Sequence, residues 1–500
     1  MHCSVPVPVL ETIQVLERAG FKAYIVGGSL RDLVLGRDPK DWDVTTDAKP
    51  DAIQKIFPDS VYENTFGTVG VKVPRFLAST PAEYQHDIIE ITTFRTESDY
   101  QDGRHPEKVD FVSSVEEDLA RRDFTINAMA GRITATTENT VVEIIDPFGG
   151  QTDIEKKIIR AVGNPEQRFS EDGLRLMRAV RLAIELSSPS QSMPDWSIEP
   201  ATFTALKKLA DTLPRVAFER IRDEFSRIIV SARPSDGVTL LQEVGLLQYV
   251  IPELTEGIGV TQNLHHIYTV WEHNLRALAT CPSKKLDVRL AALLHDVGKP
   301  RTKRGEGYRS TFYNHDHVGA RMTRKILERL RYSKKVVDHA AMLVDNHLFY
   351  YNVGEVTEAS VRRLIKRVGL ENMDDLMAVR IGDRLGSGVP KAKPYKLRHL
   401  EYMIDKVSQD ATSVKMLKID GSVLMTELHL APGPKIGALL ECLLAEVIDD
   451  PGLNVRQLLL DRARQLMDND LVVLRNLAKE RIDRERESED RAIRGRHRVV

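Results

Sequence analysis

The sequence predicts a small α/β domain at the N terminus followed by an all-α remainder. Three observations predict it. Short apolar strands alternate with helical stretches as far as Gly150. From about Asp153 the strand signals vanish and helical spacing continues almost to the end. Gly and Pro clusters at Pro189 to Pro200, Pro252 to Gly259, Gly386 to Pro394 and Ala431 to Gly433 break that helical part into several bodies. A chain of 500 residues has room for them.

The elements follow in order. Val9, Leu10, Ile13 and Leu16 have helical spacing, and Gly20 is a natural stop. Ala23 to Val26 is an apolar strand ending in the turn Gly27-Gly28. Arg31 to Leu35 is a short helix stopped by Gly36. Asp41 and Asp43 sit on a second strand, and Thr45, Thr46 and Asp47 cap a helix through Phe57. Val69, Val71 and Val73 alternate as a strand, Pro74 to Gln85 reads as a loop, and Ile88 to Phe94 is a further strand. Phe169 to Leu186 is a strong helix. Leu477 to Val500 alternates charge densely and reads as a solvated helix or a disordered tail.

Composition excludes several classes. Hydrophobic residues are 42% and charged residues 29%, ordinary for a soluble globular chain. The net charge of -2 means that a nucleic-acid partner would need a local basic patch. Cys3, Cys281 and Cys442 lie far apart, with neither zinc spacing nor a disulfide framework, so a reducing, cytoplasmic setting is expected. The reading expects no signal peptide and no membrane partner, because no apolar run is long enough.

Chemistry concentrates first in Gly27-Gly28-Ser29-Leu30-Arg31-Asp32 and Asp41-Trp42-Asp43. Residues i and i+2 of a strand face the same side, so Asp41 and Asp43 point together. Such a pair is tolerated if a divalent cation bridges it, and Mg²⁺ suits a few carboxylates plus substrate phosphates. Gly27 and Gly28 let backbone approach a phosphate, and Arg31 adds a guanidinium. A third acid should complete the cage. Glu90 lies between apolar neighbours on a strand, with Asp87 as its competitor.

The glycine and carboxylate stretch resembles the first motif of the class II tRNA nucleotidyltransferases, the CCA-adding enzymes and bacterial poly(A) polymerases. Arg121-Arg122-Asp123-Phe124-Thr125-Ile126-Asn127 resembles their second motif, Asp146-Pro147-Phe148-Gly149-Gly150 the third, and Glu171-Asp172-Gly173-Leu174-Arg175 with Arg178 and Arg181 the fourth. The remainder is similar to members carrying an added HD domain, of actinobacterial type. The resemblance implies a polymerase-β-like α/β nucleotidyltransferase head (1–155) and a helical neck with the nucleotide-selecting motif (156–255). It further implies an HD domain (256–390) and a helical tail that contacts tRNA (391–500). It implies catalysis by Asp41, Asp43 and Glu90 with Mg²⁺. It implies that the nucleotide is held by Gly27, Gly28, Arg31, Asp32, Arg121, Arg122, Asp123 and Asn127, the last four expected at the start of a helix. Asp172 and Arg175, three apart and expected on one helix face continued by Arg178 and Arg181, would by the same resemblance read the base edge and select CTP and then ATP. Phe94 to Pro106 resembles the flexible loop of full CCA-adding members, with His105 where a second arginine is frequent.

A second constellation, His273, His295-Asp296, His315, His347 and Asp383, resembles the HD phosphohydrolases. His273, His295, Asp296 and Asp383 would hold one metal, and His315 and His347 a second metal or the substrate. Imidazoles and carboxylates suit Mn, Fe, Ni or Zn. A phosphodiesterase for 2′,3′-cyclic ends of damaged tRNA is the attractive activity. His265, His266 and His317 are read as neighbours. Arg215, Arg220, Arg222 and Arg227 supply local charge for RNA phosphates. The alternatives are a poly(A) polymerase or A-adding enzyme, and an HD hydrolase with an RNA-binding front domain. Oligomeric state is not read from the sequence.

Overall fold

The computed structural model describes residues 1–64, 67–77, 86–100, 106–136, 140–262, 267–349, 352–353, 356–389, 391–408 and 414–499. The tip of the Phe94 to Pro106 loop, with Gly103 and His105, lies outside them, as do His265, His266 and most of the Pro74 to Gln85 stretch. The chain divides into two units, Met1–Asp345 with Gly382–Gly388, and Asn346–Ile381 with Val389–Val500.

The first unit opens with β1 (His2–Cys3), α1 (Val7–Arg18), β2 (Ala23–Val26), α2 (Gly27–Val34), β3 (Asp43–Thr46), α3 (Pro50–Ile56), β4 (Ser60–Asn64), β5 (Thr68–Pro74) and β6 (His86–Thr93). Then come the hairpin β7 (Arg95–Tyr100) and β8 (Pro106–Phe111), α4 (Val115–Ala120), β9 (Ala130–Thr136) and β10 (Thr140–Ile145). The main sheet runs β1-β10-β9-β2-β3-β6-β5-β4. β3 and β6 pair in parallel, with Asp43 opposite Glu90, and β2 pairs antiparallel to β3. Tyr24 and Val26 from the sheet pack with Phe94, Leu119, Ala128 and Ala130. The Tyr24 and Phe94 rings stack at 6.0 Å between centroids. Truncating such an aromatic costs on the order of 3–5 kcal/mol, enough to hold the sheet on the helix that precedes the second motif.

Four expectations shift here. α2 begins at Gly27, so the glycines form its first turn rather than preceding it. Thr45 and Thr46 belong to β3, because β-branched side chains suit a strand flanked on both sides; α3 instead starts at Pro50 after Lys49. Asp41 precedes the strand that begins at Asp43. Arg121 to Asn127 does not open a helix: Arg121 caps the end of α4, and Thr125–Asn127 is a single 3₁₀ turn before β9.

α5 (Gly150–Lys156) ends the head region, and α6 (Pro165–Glu171), α7 (Leu174–Glu185), α8 (Pro200–Lys208) and α9 (Phe218–Val230) follow. Two short strands, Ile158–Ile159 and Ser197–Ile198, pair here despite the helical pattern. The expected helix Phe169 to Leu186 is broken: Asp172 ends α6 with extended backbone and its carboxylate accepts the Leu174 N–H at 3.0 Å. Helices Val270–Thr280, Leu286–Leu294 and His315–Arg329 complete the first unit with the last turn of Met373–Gly386. In the second unit, Pro434–Asp449 and Leu471–His497 share a core that includes Leu439, Leu443, Leu474 and Ala478. The charged C-terminal stretch is therefore helical. No helix among the described residues is long and apolar enough to cross a membrane.

Candidate active site

The head site is built around one close approach. Gly27 has a φ of +70°, and a Cβ there would stand 3.0 Å from Asp43 Oδ2 and 3.3 Å from Arg122 Nη1. A side chain would displace both, so only glycine lets them lie against the turn. Val26, which precedes α2, offers no side-chain cap. The first N–H groups of α2 thus have no side-chain cap, and such a helix start can receive an anion.

Asp41 is exposed at the entry to β3. Burial, and then the neighbouring Asp41 carboxylate, push Asp43 up to about 6, while Arg122 and Arg178 act in the opposite sense. Glu90 is in register with Asp43 and exposed, not buried among its apolar neighbours: Ile89 and Ile91 turn to the other face of β6. Asp87 shares that other face. It is buried and accepts the Phe76 and Leu77 N–H groups at 2.5 and 2.7 Å, so it closes a turn away from Asp43. A carboxylate whose ionisation is resisted, with a second acid beside it and a third in register, fits a divalent cation.

The second motif adds a charge relay. Arg31 donates to Asp32 at 2.7 Å and to Asn127 Oδ1 at 2.9 Å. Asn127 donates to Asp123 at 3.2 Å, and Asp123 receives Arg178 Nε at 2.7 Å. Burial alone would raise Asp123; Arg178 outweighs it and holds the carboxyl well below the usual range. Arg121 and Arg122 both pair with Asp118.

In the fourth motif Asp172 and Arg175, expected side by side on one helix face, each have a different partner. Asp172 receives a two-pronged ion pair from Arg220, at 3.2 and 2.8 Å. Arg175 donates to Glu171 at 2.6 Å and to the Arg121 carbonyl at 3.2 Å. Asp172 lies in the break between α6 and α7, so the two residues do not share a helix face. Arg178 and Arg181 do continue along α7, and Arg181 meets Glu224 of α9 at 2.5 Å. Arg220, Glu171, Glu224 and Asp118 escaped the sequence reading as site residues. Of these, Asp118 had a usable signal, lying three and four residues before Arg121 and Arg122. Arg220 is engaged with Asp172, while Arg222 and Arg227 make surface contacts with the Arg331 carbonyl and Glu185. Only Arg220 is committed to a partly buried pair; the exposed contacts of Arg222 and Arg227 are weak.

The second centre is also in the first unit. His273 Nε2 lies 3.0 Å from His295 Nε2, 3.2 Å from Asp296 Oδ2 and 3.3 Å from Asp383 Oδ1. His295 ends the buried helix Leu286–Leu294, and its Nδ1 donates to the Ala292 carbonyl at 2.8 Å. That tautomer leaves the Nε2 lone pair toward the cluster. Gly382 and Gly386 bring the Asp383 turn onto helix Val270–Thr280: a Cβ at either would stand 2.7 Å from the Ala277 carbonyl or 2.9 Å from the Ala277 nitrogen. Burial favours a neutral His273, but Asp296 and Asp383 overrule it and push the ring up to about 9. The pocket thus demands a positive charge. Imidazole nitrogens about 3 Å apart match neighbouring ligands of a metal with bonds of about 2.1 Å, so these residues fit a transition metal. Asp296 Oδ1 faces His315 Nε2 at 3.3 Å, while Oδ2 also takes Lys299 Nζ at 2.6 Å. His347 is buried in the second unit. His317 pairs with Asp345 and stands apart as a surface residue.

Family models match three stretches of the chain: a poly A polymerase head domain over residues 23–160, a probable RNA- and SrmB-binding site of polymerase A over 195–258, and an HD domain over 263–383. The CCA-adding enzyme of Ligilactobacillus salivarius is 32% identical over 463 residues, 92% of this chain and 96% of the relative. This chain belongs to the CCA-adding enzyme and poly(A) polymerase family of nucleotidyltransferases. An A-adding tRNA nucleotidyltransferase of Deinococcus radiodurans is also 32% identical, over 84% of this chain and 90% of its own length. The solved CCA-adding enzyme of Bacillus stearothermophilus in complex with CTP covers 92% of this chain and 97% of its own, at 27% identity and a TM-score of 0.56. The polymerase-head match spans Asp41, Asp43, Glu90 and the second motif, and the HD match spans the histidine cluster.

In this nucleotidyltransferase the raised Asp43 has a measurable consequence. Without metal, ionised Asp43 costs stability as pH rises above its ordinary 3.8, and the cost is complete above about 6. We predict that in chelator Asp43→Asn is more stable than wild type at pH 7.5, by on the order of 1–2 kcal/mol. Melting curves should show the gap closing as pH falls from 6 to 4. A wild type that melts higher at pH 7.5 would contradict the assignment.

Proposed function

We propose that this enzyme adds C, C and A to the 3′ end of tRNA by template-independent nucleotidyl transfer from CTP and ATP. One observation supports it above the others. The Asp43 carboxylate stands against the uncapped start of α2, with Asp41 beside it and Glu90 in register across the sheet, and Arg122, whose neighbour Arg121 receives Arg175 at its carbonyl, reaches the same glycine turn. Mg²⁺ held by Asp41 and Asp43 would activate the RNA hydroxyl and offset charge on the triphosphate. The chain's own groups do the rest. Gly27, Gly28 and the first amides of α2 receive phosphate oxygens, with Arg122 beside them. Glu90 completes the acidic cluster. Arg31, Asp32, Asp123 and Asn127 form the polar wall for the sugar. The bond formed joins the RNA 3′-oxygen to the α-phosphorus; the bond broken releases pyrophosphate.

Base choice falls to Asp172 and Arg175. Each carries an internal partner, Arg220 and Glu171. In our reading they exchange these partners for the Watson–Crick edge, and Arg178 and Arg181 hold the helix that carries Arg175. The Deinococcus radiodurans relative favours a second reading, addition of A alone. The test is a tRNA that ends before CCA, given CTP and ATP separately and together, with its 3′ end sequenced. CCA should appear with both nucleotides, and Asp41→Ala/Asp43→Ala should bind the tRNA but extend it not at all. A without C would select the second reading. Normal extension by the double variant would overturn the metal assignment.

We also propose a metal-dependent phosphohydrolase at the second centre, with one Mn, Fe, Ni or Zn ion held by His273, His295, Asp296 and Asp383. The ion would supply a water activated for attack on phosphorus. His315 stands where it can serve a second ion or the substrate. Its other nitrogen, Nδ1, contacts the Phe312 carbonyl at 2.6 Å. By resemblance His347 shares that role. Purified protein should carry roughly one transition-metal equivalent, lost in His295→Ala, and hydrolyse 2′,3′-cyclic phosphates only when loaded. Metal-free protein that cannot be loaded would remove this activity from the account.

A further inference from the structure

The nucleotide site leaves one buried acid without an assigned role. Asp118, in the last turn of α4, is 0% exposed. Its Oδ1 accepts Arg121 Nε at 3.0 Å, Arg121 Nη2 at 2.7 Å and the Arg95 backbone N–H at 3.4 Å. Its Oδ2 accepts Arg122 Nη2 at 3.3 Å and Thr45 Oγ1 at 3.4 Å. One carboxylate therefore meets four pieces of the head: both arginines of the second motif, the root of the β7–β8 hairpin, and β3 two residues beyond Asp43.

The geometry of Arg122 makes this more than a fold contact. Its Nη2 is spent on Asp118. Its Nη1 lies at Gly27 beside Asp43, and its buried Nε has no hydrogen-bond partner. A guanidinium is a rigid fork, so fixing one edge aims the other. We propose that Asp118 is a positioning residue for nucleotide binding, holding the back of Arg122 so that its free edge faces the phosphates entering between Gly27 and Asp43. It fixes the Arg121 side chain in the same way, and the Arg121 carbonyl is where Arg175 and Arg168 dock. Asp118 thereby ties the phosphate end of the pocket to its base end. The inference rests on the nucleotidyl-transfer reading, but it concerns binding and is measured there.

Asparagine has the same shape but one acceptor oxygen in place of two. Its amide would face one of the two guanidiniums donor to donor, and that arm would swing away. The experiment is equilibrium binding of CTP and of ATP, each with Mg²⁺. The tRNA affinity and the melting temperature are measured alongside. Asp118→Asn should raise both nucleotide Kd values at least tenfold and leave the tRNA Kd within twofold. In an Arg122→Ala background the same change should cost less than threefold, because the group it acts through is gone. Arg122→Lys keeps a cation for Asp118 but cannot serve both ends with one ammonium. It should also raise the nucleotide Kd about tenfold, and it decides the matter if Asp118→Asn does not fold. Nucleotide Kd values within twofold of wild type in Asp118→Asn, or in Arg122→Lys when only that variant folds, would overturn the proposal. So would an undiminished tenfold cost in the Arg122→Ala background. Wild-type protein that binds CTP but never extends tRNA would instead sink the transfer reading and leave this test standing.

Discussion

A buried aspartate, Asp43, held beside the carboxylate of Asp41 sets the terms for the rest of the head. Most of the other acids around the pocket have an assigned guanidinium: Asp32 has Arg31, Asp118 has Arg121 and Arg122, Asp123 has Arg178, Asp172 has Arg220 and Glu171 has Arg175. Asp41 and Asp43 have no ion-pair partner within 4 Å among the described residues, and Asp43 is pushed up to about 6. A site whose acids were all matched internally would have no call for a cation. This one leaves its charge deficit at a single place, beside the amides of α2. Substrate and metal together complete an electrostatic balance that the fold leaves open.

The same logic joins head to neck. The chain Asp32, Arg31, Asn127, Asp123, Arg178, Glu224 and Arg181 runs from the phosphate turn to α9 through contacts of 2.5 to 3.8 Å. Arg220, one turn before Glu224 on α9, holds Asp172. The groups proposed to hold the phosphates and to select the base are thus linked through one run of ion pairs and hydrogen bonds and the shared helix α9. That also explains a net charge near zero in a protein that handles polyanions. Many of its arginines are spent on carboxylates inside the pocket. The HD centre follows a parallel rule: imidazoles and carboxylates gathered about His273, a buried carboxylate reaching both ways, and an imidazole driven to carry a positive charge.

Much of this was legible from residue order. Asp41 and Asp43, the glycine turn and the second-motif arginines announce themselves because their chemistry is written in short local spacings, whereas only His295-Asp296 of the second centre is local and its other members, spread from His273 to Asp383, were gathered by resemblance to the HD phosphohydrolases. The change from mixed to helical structure near Asp153 was legible too. What escaped notice depended on distance in the chain. Asp172 looks paired with Arg175 until the helix break at Gly173 turns it toward Arg220, forty-eight residues on. Glu90 looked buried because Ile89 and Ile91 flank it, yet strand alternation sends those two to the opposite face. Asp118 sits in Glu116-Glu117-Asp118, which resembles any acidic helix start, and only its burial separates it from its neighbours. Thr45 and Thr46 resembled a helix cap because the strand beside them, β6, comes more than forty residues later.

The central claim is that Asp41 and Asp43 hold a place for a cation against their own repulsion. The most direct measurement is calorimetry of Mg²⁺–CTP binding near pH 6 in buffers of different ionisation enthalpy. Comparison of those buffers counts the protons released. If Asp43 is half protonated there, as its position near 6 requires, binding should release a substantial fraction of one proton, falling toward none by pH 8 and absent in Asp43→Asn. Binding of equal strength at both pH values with no proton released would contradict the account.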